Sequence, residues 1–555
     1  MDYAHFDYWP ARLPKTLAYP ATGIHHNLAV SARRYPTRPF LEFYGTTVTY
    51  RDALDQCERL AGFLQQDCGL CKGDRVLLDM QNSPQFVLAY YAILRAGGMV
   101  VPANPMYKTA ELAHLIDDSG ATIAFIGQEA YGELAPIVAS GSMRHAVVAT
   151  YSDYLPAEVD LPMPDVIHKP RMADLGPGGT AWIDALAMNR TPGADTASPS
   201  DWCVLPYTSG STGKPKGCIH THATVMATTV GGALWKSATP MSVILGTAPM
   251  FHVTGMQHSM NLAVFAGASL VILPRWDASV AATLIERYGC THWDAVPAMV
   301  IDVLVDPKSA DRDLSSMLMI GGGGVSMPEA MAQKLFERCG IPFLESYGMT
   351  ETISQTHYNP PDRAKKQCIG IPHFGVESLI VDPESGTPVP AGESGEIVLR
   401  GPQLLVGYWK NDAAFKESWI EIDGRSFFRT GDLGHVDEDG YFFITDRLKR
   451  MINAAGYKVW PAEIEALMYH HPSVRECCVV GAPDDRRGET VKAVVVLREG
   501  ATAVTAEELI VWARSKMAAY KVPRIVEFVD EIPRGGTGKV LWRELQDKAF
   551  GRGKS

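Results

Sequence analysis

The feature that most constrains this chain is a short segment, Tyr207 to Gly217, which follows an apolar run and combines glycines, hydroxyls and lysines. Val204, Leu205 and Pro206 predict a strand that runs into a loop at this point. Glycine lets the backbone approach a ligand closely, and hydroxyl and ammonium groups suit a polyphosphate. The residues concerned are Thr208, Ser209, Gly210, Ser211, Thr212, Gly213, Lys214, Lys216 and Gly217.

The spacing of this loop excludes one common class of nucleotide site. It does not follow the GxxxxGK[ST] pattern of P-loop proteins, and Pro215 comes directly after Lys214. A plain Gly/Ser surface turn is the alternative interpretation. It is disfavoured because such turns seldom carry this many hydroxyls together with two lysines.

Strand-like and helix-like segments alternate through the first part of the chain. Apolar residues recur at helical spacing over 52–66 and 85–96, and short apolar runs at 75–79 and 121–126 predict strands. This alternation is typical of doubly wound α/β layers with parallel strands. We therefore predict an α/β fold for the larger part of the chain.

A second pattern begins near residue 446. Before it, turn-bounded strands at 395–399 and 440–445 indicate a β-rich subdomain; after it comes a separate α+β pattern of roughly 100 residues, an ordinary domain size. We predict a large N-terminal domain over 1–445, a hinge over 446–450 and a small C-terminal domain over 451–555.

Composition limits the partners and the compartment. The 555 residues carry a net charge of −11, which disfavours nucleic-acid binding. The ten cysteines are scattered, as in reduced cytosolic proteins, and neither a signal peptide nor a lipidation motif is evident. No uninterrupted apolar run of about 20 residues survives. We expect a cytoplasmic protein without a transmembrane segment; peripheral membrane contact and a homodimer both remain open.

The loop resembles the phosphate loop of the adenylate-forming superfamily, which includes acyl-CoA synthetases, luciferases and the adenylation domains of peptide synthetases. Five further segments resemble that superfamily's motifs, in the same order and over residues 25 to 548. They are Pro249–Gly255 (PMFHVTG), Ser346–Thr352 (SYGMTET), Arg429–Gly434 (RTGDLG), Asp446–Glu465 around the hinge, and Pro533–Lys539 (PRGGTGK).

The resemblance implies nucleotide-binding roles, each of which agrees with the chemistry of the side chain. Tyr347 offers a flat face to an adenine ring, and Gly323 borders it. Thr350 donates to a phosphate, and Glu351 is a hard oxygen ligand for Mg²⁺. Asp432 accepts hydrogen bonds from ribose hydroxyls, and Arg447 is a fixed cation for ribose or phosphate.

The resemblance also implies the groups that act on the acid and the thiol. Lys539 reaches the carboxylate and the α-phosphate, where an ammonium stabilises the charge of the adenylation transition state. Lys449 is the pivot about which the mobile C-terminal domain rotates between the two half-reactions. Gly456 lets the pantetheine thiol pass close to the backbone. His252 is a candidate gate or orienting group.

Together these motifs imply an acid–CoA ligase that uses ATP, Mg²⁺ and coenzyme A. His252 stands where relatives that activate amino acids have an aspartate, and no carrier segment follows residue 555, so we expect neither an amino acid as the substrate nor a peptide-synthetase module. The expected pocket is mostly apolar, which favours a medium- or long-chain fatty acid. An aryl or arylalkanoic acid, or another acceptor than CoA, is the alternative. The pocket residues are Met256, Trp293, Met299, Val300, Val325, Met349 and Ile353. Gly321–Gly324 is either a wall of this pocket, in which Gly322 or Gly323 faces inward, or a glycine-rich turn with no bearing on pocket size.

Overall fold

The structure is a computed structural model. It describes residues 4–208, 215–324, 326–454, 457–484, 488–498, 500, 504–535 and 540–552, without the side chains of Tyr457 and Lys458. Several predicted site residues lie outside the described residues: Ser209, Gly210, Ser211, Thr212, Gly213, Lys214, Gly456 and Lys539, together with the pocket residue Val325.

The strands of the described residues form four sheets. In chain order they are β1 (Pro39–Phe43), β2 (Thr46–Thr49), β3 (Arg75–Asp79), β4 (Met99–Pro102), β5 (Ile123–Gly127), β6 (His145–Ala149), β7 (Gly179–Ala181), β8 (Trp202–Val204), β9 (Cys218–Thr221), β10 (Val243–Gly246), β11 (Ser269–Ile272), β12 (His292–Asp294), β13 (Met319–Gly323), β14 (Phe343–Met349), β15 (Ser354–Tyr358), β16 (Ile371–Pro372), β17 (Glu377–Val381), β18 (Gly395–Arg400), β19 (Gly407–Tyr408), β20 (Trp419–Ile422), β21 (Arg425–Val436), β22 (Phe442–Arg447), β23 (Ile452–Ala454), β24 (Tyr457–Val459), β25 (Val474–Asp484), β26 (Gly488–Leu497) and β27 (Ile525–Phe528).

The helices alternate with these strands. They are α1 (His26–Arg34), α2 (Tyr50–Gln66), α3 (Pro84–Arg95), α4 (Thr109–Ser119), α5 (Gln128–Ala139), α6 (Asp165–His168), α7 (Trp182–Ala187), α8 (His222–Trp235), α9 (Val253–Gly255), α10 (Leu262–Ala266), α11 (Ala278–Tyr288), α12 (Pro297–Val305), α13 (Glu329–Cys339), α14 (Asp412–Glu417), α15 (Pro461–Met468), α16 (Ala506–Arg514) and α17 (Trp542–Ala549). A π-helical turn, Met256–Asn261, joins α9 to α10.

Two large mixed sheets carry the N-terminal part. One runs in the order β16-β15-β14-β13-β12-β10-β11-β1-β2, and its strands from β14 to β1 are parallel. The other runs β19-β9-β8-β4-β3-β5-β6-β7 and is parallel from β8 to β7. Parallel strands covered by helices bury both faces, which accounts for the apolar runs seen in the sequence. The predicted doubly wound α/β layers are confirmed.

Two smaller sheets complete the fold. An antiparallel sheet runs β17-β18-β21-β20 with β22 paired to β21, which is the predicted β-rich subdomain. The last sheet runs β24-β23-β26-β25 with β27 parallel to β26, and α15 and α17 contact β25. Its hydrophobic cores draw on residues 452–545 alone. The chain therefore has the expected small α+β unit after the β-rich part.

Local sequence explains where the elements near the site begin. Ser83 accepts a hydrogen bond from the backbone N–H of Phe86 at 3.1 Å, and Pro84 takes the first position of α3, where no N–H is needed. The charge-free stretch 241–274 forms β10, the π-helical turn, α10 and β11, mostly buried. Within the described residues no helix combines the length and the apolar character needed to cross a membrane.

Candidate active site

Hydrogen bonds join the two ends of the predicted phosphate loop at its base. The backbone N–H of Thr208 donates to the carbonyl of Lys216 at 2.9 Å, and the N–H of Lys216 donates to the Thr208 hydroxyl at 3.2 Å. Tyr207 and Gly217 pair across the same base. Both described ends of the loop are thus held in register where β8 gives way to β9.

The loop base leads directly to the predicted metal ligand. The ammonium of Lys216 lies 4.7 Å from the ring centre of Tyr408, whose hydroxyl donates to Oε1 of Glu351 at 3.0 Å. Burial raises the pKa of Glu351, while the Tyr408 hydrogen bond and the charge of Arg447 favour its ionised form. Lys216, Tyr408 and Glu351 therefore form a continuous series of contacts from the predicted phosphate loop to the segment after β14.

Tyr408 was missed by sequence reasoning. It belongs to the two-residue strand β19, which pairs with β9 so that Tyr408 faces Cys218 across the ladder. That pairing joins positions 190 residues apart, since 408 − 218 = 190. A strand of two residues has no recognisable sequence pattern. Its existence follows only from its pairing with β9 in the folded chain.

Thr350 is fixed through its backbone. The buried ring of His220 donates from Nε2 to the carbonyl of Thr350 at 2.8 Å. Burial lowers the pKa of His220 to about 4, so the ring is neutral near pH 7 and retains the single N–H that this bond requires. His220 lies on β9, so the strand after the phosphate loop also orients the Thr350–Thr352 turn.

The predicted adenine and ribose residues meet although they lie on different sheets. The hydroxyl of Tyr347 donates to Oδ2 of Asp432 at 2.6 Å, and Nε of Arg447 lies 2.8 Å from Oδ1 of the same carboxylate. Asp432 is only 2% exposed. Its charge raises the pKa of Arg447, and burial followed by the same charge raises the pKa of Tyr347. Both oxygens of a buried carboxylate are thus held at a fixed position.

Positive charge gathers at the predicted hinge. Burial lowers the pKa of Lys449, and the charges of Lys216, Arg543 and Arg447 lower it further. These four cations come from the phosphate loop, β22, the hinge and α17. Lys449 therefore lies within the electrostatic influence of three other cations, of which Arg447 is itself paired with Asp432.

The hinge is also tied to the C-terminal unit. Asp446 accepts from the backbone N–H of Ala462 at 2.7 Å, near the start of α15. The guanidinium of Arg450 pairs with Glu465 on that helix and donates to the carbonyl of Val479 at 3.2 Å. In this arrangement, residues on both sides of Lys449 contact α15 and β25.

His252 caps the N-terminus of the short helix α9, and its Nδ1 accepts from the backbone N–H of Thr254 at 3.3 Å. It follows β10, Gly323 ends β13, and Thr350 follows β14. Since these strands are parallel in one sheet, the three residues lie at its carboxyl edge, where ligands of open α/β sheets bind. Only β12 separates β10 from β13, a spacing of about 10 Å.

The glycine run does not have the role predicted for it. An ideal Cβ on Gly322 would lie 1.9 Å from the carbonyl oxygen of Ala295, and one on Gly323 would lie 2.2 Å from that of Ser346. At Gly321 the obstacle is the hydroxyl of Tyr358 at 2.4 Å. The prediction that Gly322 or Gly323 faces an acyl pocket is therefore wrong. These glycines let neighbouring backbone and side chains approach the strand closely, whereas a Cβ on Gly324 would meet nothing within 4 Å.

The other predicted pocket residues within the described part of the chain divide between two hydrophobic cores. Met256, Trp293, Val300 and Ile353 are buried in one hydrophobic core, and Met299 packs against it. Met349 packs instead against the core of the β-rich subdomain.

Comparison with known proteins decides the family. Residues 28–409 match the family model described as AMP-binding enzyme, and residues 463–539 match the model of the AMP-binding enzyme C-terminal domain. The chain belongs to the AMP-binding enzyme family. Membership confirms the predicted superfamily, and it agrees with the predicted fold and class of enzyme.

Relatives of this AMP-binding enzyme are similar over nearly the whole chain. A long-chain-fatty-acid–CoA ligase of Bacillus subtilis (strain 168) is 34% identical over 552 residues, covering 97% of each chain. A feruloyl-CoA synthase of an Amycolatopsis species is 33% identical and covers 94% of this chain and 97% of its own. The crystal structure of ATP-bound MatB from Rhodopseudomonas palustris superposes with a TM-score of 0.82 at 28% identity, over 94% of this chain and 99% of its own.

Proposed function

We propose that this AMP-binding enzyme is an ATP-dependent acid–CoA ligase. The observation that carries the proposal is the buried Asp432 carboxylate, held by Tyr347 and Arg447 next to the Thr350–Glu351 turn. An adenine-sized face, an acceptor for ribose hydroxyls and a fixed cation thus meet at the carboxyl edge of a parallel sheet. The ATP-bound neighbour and the CoA-ligase relatives support the same interpretation.

The proposed reaction has two steps. A carboxylate oxygen attacks the α-phosphorus of ATP, the bond to the β-phosphate oxygen breaks, and pyrophosphate leaves. The sulfur of CoA then attacks the acyl carbon of the acyl-AMP, AMP leaves, and the thiol proton passes to solvent. Positioning and charge neutralisation supply most of the acceleration in such transfers. We propose that Lys216, Arg447 and Lys449 neutralise the phosphates and that Lys539 joins them in the first step.

The donor set around Glu351 fits Mg²⁺. Glu351 supplies a hard carboxylate oxygen near the loop that would hold the phosphates. Across the described residues, no group of three or more His, Cys, Asp or Glu side chains is arranged to hold a metal. A single carboxylate, together with phosphate oxygens and water, is the usual set for Mg²⁺ bound with a nucleotide, where the ion neutralises developing charge.

We propose a medium- or long-chain fatty acid as the substrate. The residues predicted to line the pocket are mostly apolar, and the similarity to a long-chain-fatty-acid–CoA ligase favours the same class. An aryl or arylalkanoic acid is the second candidate, favoured by the similarity to a feruloyl-CoA synthase. Cytoplasmic localisation stays a prediction.

The experiment is a panel of carboxylic acids assayed with ATP, Mg²⁺ and CoA. Straight-chain acids of graded length are compared with cinnamic and phenylalkanoic acids by kcat/KM for AMP release, with detection of the thioester. A maximum among the medium or long chains supports the first candidate, and a maximum among the aromatic acids supports the second. Acid-dependent pyrophosphate release with accumulation of acyl-AMP and no thioester would indicate another acceptor than CoA.

The roles of the two domains are tested by separating the half-reactions. Lys539→Ala should abolish acid-dependent pyrophosphate release yet still convert supplied acyl-AMP and CoA to the thioester. Equal loss of both steps with the fold intact would remove Lys539 from its proposed role.

A further inference from the structure

The side chain of Asn82 joins the two large sheets. It lies between β3 of one sheet and α3, and it is 5% exposed. Its Nδ2 donates to the carbonyl of Ala248 at 3.0 Å and to that of Leu273 at 3.3 Å, and its Oδ1 accepts from the N–H of Met250 at 2.8 Å. These partners follow β10 and β11 of the other sheet. Both N–H groups and the oxygen of the carboxamide are thereby used.

Local sequence leaves Asn82 free for this contact. An asparagine before a helix often caps it, but here the adjacent Ser83 accepts from the backbone N–H of Phe86 and caps α3. The Asn82 side chain can therefore extend to the neighbouring sheet.

What lies opposite is the segment that carries His252. The N–H of His252 donates to the carbonyl of Pro249 at 3.1 Å, and the N–H of Met256 donates to the carbonyl of His252 at 3.0 Å. A Cβ on Gly255 would lie 2.3 Å from the oxygen of Pro249 and 2.4 Å from that of Ala248, so the turn closes tightly on itself. A displacement of Ala248 or Met250 must therefore carry His252 with it.

We propose that Asn82 is a positioning residue for the acid-binding half of the site. It fixes the Ala248–Met256 turn, and with it His252, against the carboxyl edge of the second sheet. The inference rests on the proposed function for the role of His252, but the hydrogen bonds themselves do not. The nucleotide half of the site is held by contacts that do not involve Asn82, namely those of Asp432 with Tyr347 and Arg447, and it should be spared.

The kinetic test is Asn82→Asp, which keeps the size but replaces two donors by a charge that faces two carbonyl oxygens. The expected result is a fall of about tenfold or more in kcat/KM for the acid, from the loss of buried hydrogen bonds, with KM for ATP changed by less than about threefold. The matched control is Gln85→Glu: Gln85 is also buried, but its Nε2 donates to the carbonyl of Thr150 at 2.9 Å, away from the turn. An equal fall in the control, or equal effects on acid and ATP, would overturn the proposal.

A double-mutant cycle asks whether Asn82 acts through His252. Adding Asn82→Asp to His252→Ala should cause little further loss in acid kcat/KM, since residues that act as one unit are not additive. Fully additive losses would contradict a route through His252. Asn82→Ser keeps one donor and should fall between the parent and Asn82→Asp, which provides a second series if the aspartate variant does not fold.

Hydrogen exchange tests the clamp without any catalysis. The backbone amides of Met250, His252 and Met256 should exchange faster in Asn82→Ser than in the parent, while those of β14 should not change. This readout holds even if the enzyme ligates no acid to CoA, so failure of the proposed function and failure of the clamp can be told apart. Unchanged exchange across the turn would refute the positioning role.

Discussion

The hydroxyl of Tyr408 donates a hydrogen bond of 3.0 Å to Glu351, the residue proposed to bind Mg²⁺. The bond favours the ionised form of a carboxylate whose pKa is raised chiefly by burial. A donor from the two-residue strand β19 thus keeps a buried acid available to a cation. Tyr408 also presents its ring to Lys216, so a single side chain contacts both the phosphate loop and the proposed metal ligand.

This relationship predicts the pH dependence of the Mg²⁺ requirement. Because the pKa of Glu351 is raised in the folded protein, its carboxylate should be protonated at a higher pH than an ordinary glutamate as pH falls. Tyr408→Phe removes a hydrogen bond to the ionised form and should raise that pKa further. The Mg²⁺ concentration for half-maximal pyrophosphate release should therefore increase more steeply below neutral pH in Tyr408→Phe.

Glu351→Gln provides the comparison, since it cannot titrate. Its Mg²⁺ requirement should be higher than that of the parent at every pH and should lose the part of the pH dependence that Glu351 contributes. A parent-like Mg²⁺ requirement in Glu351→Gln would exclude Glu351 from the metal site.

The Tyr347–Asp432 hydrogen bond predicts a nucleotide-specific defect. Tyr347→Phe keeps the aromatic face but leaves Oδ2 of Asp432 without its donor, which should weaken ATP binding by about 1 kcal/mol. Asp432→Ala removes a charged acceptor for the ribose and should cost roughly 1.5–3 kcal/mol. Calorimetric titration with ATP measures both.

Tyr358→Phe is the matched control for this pair. Tyr358 is buried and donates to Oδ1 of Asp294 at 3.1 Å, so the substitution removes the same kind of bond outside the proposed nucleotide contacts. ATP affinity should stay within about twofold of the parent there. Equal weakening in Tyr347→Phe and Tyr358→Phe would mean that general destabilisation, not ribose orientation, causes the effect.

The glycines of β13 predict damage that does not depend on the size of the acid. Gly323→Ala places a Cβ against the carbonyl of Ser346, and Gly322→Ala places one against that of Ala295, so backbone must move in both variants. Overpacking of this kind costs about 1–3 kcal/mol. The melting temperature should fall, and kcat/KM should fall by a similar factor for short and long acids.

Gly324→Ala should lower the melting temperature less than Gly322→Ala or Gly323→Ala does. A Cβ there meets nothing within 4 Å, although the backbone φ of +96° strains any residue other than glycine. Selective loss of activity on long acids in Gly322→Ala or Gly323→Ala would restore these positions to the pocket wall and contradict the geometry.

The alternation of strand-like and helix-like segments predicted the fold class, and the motifs indicated candidate site segments, because each of these patterns is short and continuous. Contacts between segments escaped prediction. Tyr408 reaches Glu351 only through the pairing of β19 with β9, and Asn82 reaches Met250 only because two sheets meet at their carboxyl edges. The run at Gly321–Gly323 was misread because an absent side chain can make room for a ligand or for neighbouring backbone, and sequence does not distinguish the two.

The burial of the Asp79 carboxylate is another feature of the fold that no sequence motif indicates. Asp79 ends β3, is fully buried, and neither of its carboxyl oxygens has a hydrogen-bond partner among the described residues. Burial, followed by the charge of Glu129, raises its pKa from 3.8 to about 7. Between pH 4 and pH 7 the carboxyl of Asp79 ionises more readily in the unfolded chain than in the folded protein. Rising pH therefore lowers the free energy of unfolding through this group.

Asp79→Asn removes that titration. Its stability advantage over the parent should be small near pH 4, grow up to pH 7 and then level off, with an upper limit of about 4 kcal/mol. Melting temperatures of the two proteins across this range provide the measurement. A difference that is constant with pH would show that Asp79 has an ordinary pKa in the folded protein.

The central claim is tested most directly by the fate of the nucleotide. Purified enzyme is incubated with ATP, Mg²⁺, CoA and a straight-chain fatty acid, and the products are separated by chromatography. The account predicts AMP, pyrophosphate and the acyl-CoA thioester in equal amounts, all dependent on the acid. Acid-dependent ADP and inorganic phosphate in place of AMP and pyrophosphate would contradict it.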